Sequence, residues 1–151
     1  MKIMIAYDDS RNAKLALAQV VTLFGRLSPE ITLVTVVENP GDSTDKNLEF
    51  FDQETEELRQ GVDQALAFCS KEGIKAHALF AQGDARKMIL AATKKHTPDI
   101  LVVARHSHQP DGGFIAKSLT YFVDEVDYMT FGSVSAFLAR RVECPLLILP
   151  S

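Results

Sequence analysis

Apolar positions along this chain form two kinds of run, and the two kinds alternate. Short runs rich in Ile and Val occur at Lys2 to Tyr7, Ile31 to Val37, Ile74 to Phe80, Ile100 to Val103 and Leu146 to Leu149. Several are apolar almost without interruption. That predicts parallel strands buried on both faces rather than half-exposed ones. Longer stretches between them carry apolar residues at helical spacing. Ser10 is placed to cap a helix to about Phe24, with Ala13, Leu17, Val20, Val21 and Phe24 on one side and Gly25 as its stop. A second helix is expected from about Thr44 or Asp45 to Lys71, before Gly73. Its stripe is Leu48, Phe51, Leu58, Val62, Ala65, Leu66 and Cys69. A third starts near Asp84, buries Met88, Ile89 and Ala92, and ends before Thr97 and Pro98. A last one runs from near Gly132 to about Val142, with Arg140 and Arg141 in its final turn, where cations suit the helix dipole.

The order is therefore β-α-β-α-β-α-β-insert-α-β. It predicts one α/β domain over residues 1–151, with five mainly parallel strands, right-handed crossovers and helices on both faces. Ligands of such sheets sit beyond the C-terminal strand ends, where the strand order reverses. That directs attention to Asp8 to Ser10, Val36 to Pro40, Gln82 to Asp84 and the segment after strand four. This last segment, 105–131, is too long for an ordinary α/β connection. It holds an insert at about 108–131, where Leu119, Phe122 or Val123, Val126 and Met129 recur at helical spacing beside Tyr121, Tyr128 and Phe131. The expectation is an amphipathic helix packed on the domain. A lid, or a partner surface over 114–131, is the functional alternative.

Composition narrows the function. With 46% hydrophobic and 24% charged residues, the chain has an ordinary globular make-up. The net charge is −4 and no Lys/Arg-rich run occurs, so neither nucleic acid nor an anionic membrane is an expected partner. No apolar stretch nears the roughly 20 residues of a membrane span. Asp8 and Asp9 cut short the apolar start before it resembles a secretory signal. A cytoplasmic protein is expected, with Cys69 and Cys144 as buried free thiols.

Few residues suggest chemistry. Gly132-Ser133 opens the last helix, where free amides and the dipole suit either an anion or plain capping. Asp8 can accept hydrogen bonds from an adenine amino group or a ribose, and with Asp9 it could hold Mg²⁺; the pair also reads as a polar loop before a helix. His106 and His108 flank Ser107 with Asp111 nearby, a zinc-like grouping, but sequence places no third strong ligand and no metal is expected. Ser133 with His106 as a hydrolytic pair lacks the Gly-x-Ser-x-Gly elbow. A phosphorylatable receiver domain needs an aspartate ending strand three and a lysine after strand five. Phe80-Ala81-Gln82 and Pro150-Ser151 supply neither. A nucleotide hydrolase on a related sheet needs glycines after strand one, and Tyr7-Asp8-Asp9-Ser10 has none. No enzymatic activity is expected.

Four segments carry a family resemblance. Ile5-Ala6-Tyr7-Asp8-Asp9-Ser10 resembles the opening strand and loop of universal stress proteins. Leu33-Val34-Thr35-Val36-Val37 resembles their second strand, and Gly83-Asp84-Ala85 the turn before their third helix. The fullest likeness is the tail, Gly132-Ser133-Val134-Ser135 through Cys144-Pro145-Leu146-Leu147-Ile148-Leu149-Pro150. The resemblance implies a Rossmann-like doubly wound sheet of order 3-2-1-4-5 and a non-enzymatic stress or signalling module. It implies a homodimer through the last strand, Leu146, Leu147, Ile148 and Leu149. It also implies adenine-nucleotide binding by Ala6, Tyr7, Asp8, Val36, Ala104, Ser107, Gly132, Ser133, Val134 and Ser135.

The nucleotide-binding branch of that family carries Gly-x2-Gly-x9-Gly-Ser/Thr after strand four. Here the first two glycine positions fall on Ala104 and Ser107, and residues 108–131 form a spacer of 24. A Cβ at either position obstructs backbone that would wrap phosphates. Asp111, Asp124, Glu125 and Asp127 add negative charge that repels a triphosphate. Gly112, Gly113 and Arg105 are the substitute phosphate-binding candidates. The expected ligand is therefore AMP-like rather than ATP, held through Asp8 and Val36, with Mg²⁺ only beside a triphosphate. The alternative is a nucleotide-independent dimeric interaction module.

Overall fold

The computed structural model describes residues 1–37, 45–105 and 133–150, with side chains described from residue 53 in the second helix and from residue 134 in the last. The elements are β1 (Lys2–Ala6), α1 (Arg11–Phe24), β2 (Glu30–Val37), α2 (Asp45–Lys71), β3 (Lys75–Gln82), α3 (Ala85–His96), β4 (Ile100–Ala104), α4 (Ser133–Ala139) and β5 (Leu146–Leu149). All five strands are parallel, in the order β3-β2-β1-β4-β5. That is the order the family resemblance implied.

Period-two alternation in the central strands feeds two apolar layers. Ile3 and Ile5 of β1 join Ile31 and Leu33 of β2 against Ala13, Leu17 and Val20 of α1 and Val62, Ala65 and Cys69 of α2. Met4, Val34, Leu101 and Val103 point the other way, onto Ile89 of α3 and Leu138 of α4. Both faces of β1, β2 and β4 are covered, which explains their continuous apolar sequence. β3 departs from it. It is an edge strand whose residues alternate between exposed and half-buried. Phe80 stays 42% exposed and carries the Arg59 guanidinium 5.1 Å above its ring.

Local signals set most boundaries. Ser10 caps α1, its hydroxyl accepting from the Ala13 amide at 3.1 Å. Gly25 follows the helix as expected but is right-handed (φ −54°) and opens a short 3-10 turn to Leu27. The left-handed reversal comes at Ser28 instead (φ 48°). Gly73 (φ 73°) ends α2, and the Ile74 amide returns to the Cys69 carbonyl at 2.9 Å.

Several expectations need correction. β1 stops at Ala6, though the Tyr7 amide still donates to the Val34 carbonyl at 2.9 Å. β3 runs two residues further than Phe80 and begins at Lys75. α4 ends at Ala139, so Arg140 and Arg141 follow it rather than occupy its last turn. The Arg141 and Val142 amides both return to the Leu138 carbonyl at 2.9 Å, closing the turn early. Cys69 is buried, but Cys144 is half-buried. The insert readings, including Leu119, Val126 and Met129, lie outside the described residues. Among those residues no helix is long and apolar enough to cross a membrane.

Candidate functional site

β1 leads through α1 to one side of the sheet, and β4 leads through α4 to the other. Between the C-terminal ends of β1 and β4 the order reverses, and a cleft opens there. Its floor is Ala6 and Ala104, the last residues of these strands, with Val103 below. Val34 and Val36 of β2 form one wall. Ala85 and Ile89 of α3 form the next, and Val134 and Ser135 of α4 a third. Tyr7, Asp8, Ser10 and Ala13 close the fourth side.

The short side chains of Ala6, Ala85 and Ala104 leave the space open. The cavity measures about 140 Å³, below the roughly 300–1,000 Å³ usual for drug-sized ligands. The space bounded by the described walls is therefore small. The walls are mostly apolar; Tyr7, Asp8 and Ser10 are polar on one side, and Ser135 on the α4 side. Asp8 is exposed, and its Oδ1 accepts from the Ser10 amide at 3.0 Å. A carboxylate has room for several donors, so the arrangement suits an apolar ring with a donor edge. Ser135 is buried to 6% exposure and adds a hydroxyl.

Two flanking groups are electrostatically tuned. The Tyr7 phenol is pushed well above its usual range, by burial first and then by the neighbouring Asp9 carboxylate. Asp84, which caps α3 beside Ala85, is held down to about 2, chiefly by its hydrogen bonds from Arg86 and then by the Lys87 amide. Arg86 also lies over the Phe137 ring at 5.8 Å, and Arg141 lies over it at 4.1 Å. The Arg86 contact ties α4 to α3, and the Arg141 contact covers the ring from the turn after α4.

Of the residues implied for nucleotide binding, the structure brings together Ala6, Tyr7, Asp8, Val36, Ala104, Val134 and Ser135. Ser133 is described only as the backbone start of α4, and Ser107, Gly112, Gly113 and Gly132 lie outside the described residues. Arg105 is exposed and is not among the lining residues. Its amide donates to the Leu149 carbonyl at 2.8 Å, and its carbonyl accepts from Asn12 Nδ2 at 3.2 Å. Sequence reading pointed to the Asp8 to Ser10 segment without assigning Ser10 to the site, and missed Ala13, Val34, Val103, Ala85 and Ile89 as lining residues. The i, i+4 pair Ala85 and Ile89 was findable from the α3 stripe, and Val34 from its two-residue spacing to Val36. Among the described residues no group of three metal-ligating side chains occurs.

The universal stress protein family model matches residues 1–150. The chain belongs to the universal stress protein family. No curated protein matches it at the level of sequence. Solved structures of universal stress proteins share its fold. UspA from Lactobacillus plantarum is 17% identical with a TM-score of 0.75, over 99% of this chain and 97% of that one. A family member from Arabidopsis thaliana, solved with AMP bound, is 19% identical with a TM-score of 0.69, over 99% and 91%. A universal stress protein in complex with cAMP is 17% identical with a TM-score of 0.61, over 99% and 96%.

Proposed function

We propose that this universal stress protein is a non-enzymatic binding module for an adenine nucleotide of the AMP kind, with the base in the cleft between β1 and β4. One observation carries the reading: a base-sized apolar cleft at the strand-order reversal, with the Asp8 carboxylate at its polar end. Asp8 takes the donor edge of the base or a ribose hydroxyl, and Val34, Val36 and Ile89 pack on the ring. AMP is favoured over ATP because the described lining holds no cationic side chain to meet a triphosphate. AMP in the Arabidopsis structure and cAMP in another relative support the ligand class. A homodimer through β5 belongs to the same reading. β5 is an edge strand of the sheet, and its residues Leu146, Leu147 and Ile148 are half-buried.

Calorimetric titration with AMP, ATP and adenosine, with and without Mg²⁺, tests the ligand. AMP and adenosine should bind without metal, and Asp8→Ala should weaken AMP by roughly 10- to 150-fold, the worth of a charged hydrogen bond. Binding unaffected by Asp8→Ala would refute the assignment. Binding of no adenine compound would favour the nucleotide-independent interaction module. Light scattering tests the dimer, and a strict monomer at high micromolar concentration would refute it.

A further inference from the structure

Asp9 follows Asp8 but does not line the cleft. Its φ is 60°, in the left-handed region that disfavours residues bearing a Cβ. Short polar side chains tolerate it when they find local partners. Here the carboxylate is held on three sides. Oδ1 accepts from the Tyr7 hydroxyl at 3.1 Å, and Oδ2 accepts from Lys14 Nζ at 3.1 Å. The third side is Gly61 of α2, where a Cβ would fall inside the Asp9 carboxylate. Tyr7 is 2% exposed and anchors this group in the core shared with α1 and α2. Gly61 interrupts a helix of 27 residues, where glycine is normally unfavourable. Its contact with Asp9 accounts for it.

We propose that Asp9 is a positioning residue: clamped between Tyr7, Lys14 and Gly61, it fixes the left-handed turn that presents Asp8 to the cleft, and so couples the middle of α2 to the site. The ligand part of this inference rests on the proposed reading of the cleft. The turn at Asp9 brings the Ser10 amide back to Asp8 Oδ1 and sets Ser10 to cap α1. A residue at φ 60° holds that conformation only while its surroundings over-determine it. Expelling the carboxylate removes all three contacts at once. The peptide between residues 8 and 9 then rotates, and Asp8 leaves its place at the cleft.

A thermodynamic cycle of Gly61→Ala, Asp9→Gly and the double variant tests the clamp. Without a clash, Gly61→Ala would raise stability through better helix propensity. The clamp requires the opposite. Gly61→Ala should lower Tm by roughly 2–4 °C or more and move the backbone amide signals of Asp8 and Ser10 in ligand-free NMR spectra. In the Asp9→Gly background the same methyl meets no carboxylate and should raise Tm. Equal effects of Gly61→Ala in both backgrounds, or unmoved Asp8 and Ser10 signals, would overturn the proposal. AMP affinity should fall on the order of tenfold to a hundredfold in Gly61→Ala, as for a small misplacement of a binding group. A wild-type protein that binds no AMP refutes the cleft reading, while the Tm and NMR cycle still decides the clamp.

Discussion

Removing the Leu138 side chain beyond Cβ should loosen one wall of the cleft while leaving its polar end intact. Leu138 is fully buried in the layer between the sheet and α3. It sits on α4, which has only seven residues. A helix that short has no stability of its own in water, so packing holds it in place. Phe137, under Arg86 and Arg141, contributes a second anchor. Leu138→Ala deletes three carbons, worth about 2.4 kcal/mol at about 0.8 kcal/mol each. The cavity left behind raises this toward the ~5 kcal/mol upper end for such substitutions. At roughly 2–4 °C per kcal/mol for a chain of this size, Tm should fall by roughly 5–20 °C. Urea unfolding measures the stability, and hydrogen exchange locates it. Exchange should accelerate most at α4 amides, which carry Val134 and Ser135 into the cleft. A loss below about 1 kcal/mol, with α4 exchange unchanged relative to β1, would refute the view that this residue holds the wall.

Two further substitutions test other parts of the structure. Thr35 is fully buried in β2, and its hydroxyl has no hydrogen-bond partner among the described residues; Thr35→Val should therefore stabilise by about 1–3 kcal/mol in urea unfolding, and a loss would show that the hydroxyl is satisfied. Asp84 has a folded pKa of about 2, below its unfolded value of about 3.9. Its contribution is therefore complete above about pH 4 and is lost as pH falls toward 2. Asp84→Asn should flatten the acid limb of the stability curve over that window, and an unchanged limb would refute the assignment.

The contrast between β1 and Asp9 shows what the sequence can carry. Ile3, Met4 and Ile5 announce a strand covered on both faces because each must be buried, whichever helix does it. The strand order and the place of the cleft follow from alternation, handedness and the family resemblance. Seven of the ten residues implied for nucleotide binding line that cleft because strand ends and helix starts fall where local signals put them. Asp9 is different. The absence of glycine from Tyr7-Asp8-Asp9-Ser10 argues against a triphosphate cradle there, and yet Asp9 adopts the backbone a glycine would favour. Its partners explain why no local pattern reveals this. Lys14 is one turn into α1, and Gly61 reaches the loop only once α2 has docked on the sheet. Within α2 alone, Gly61 is a weak point in a helix. Ala85 and Ile89 lie between these cases: the α3 stripe turns them inward, and they line the cleft because α3 lies on one particular face of the sheet. The residues legible from sequence are those whose neighbours are close in the chain or any apolar surface. The illegible ones need a named partner from another element, and at Asp9 that partner, Gly61, comes from a helix outside the cleft's lining.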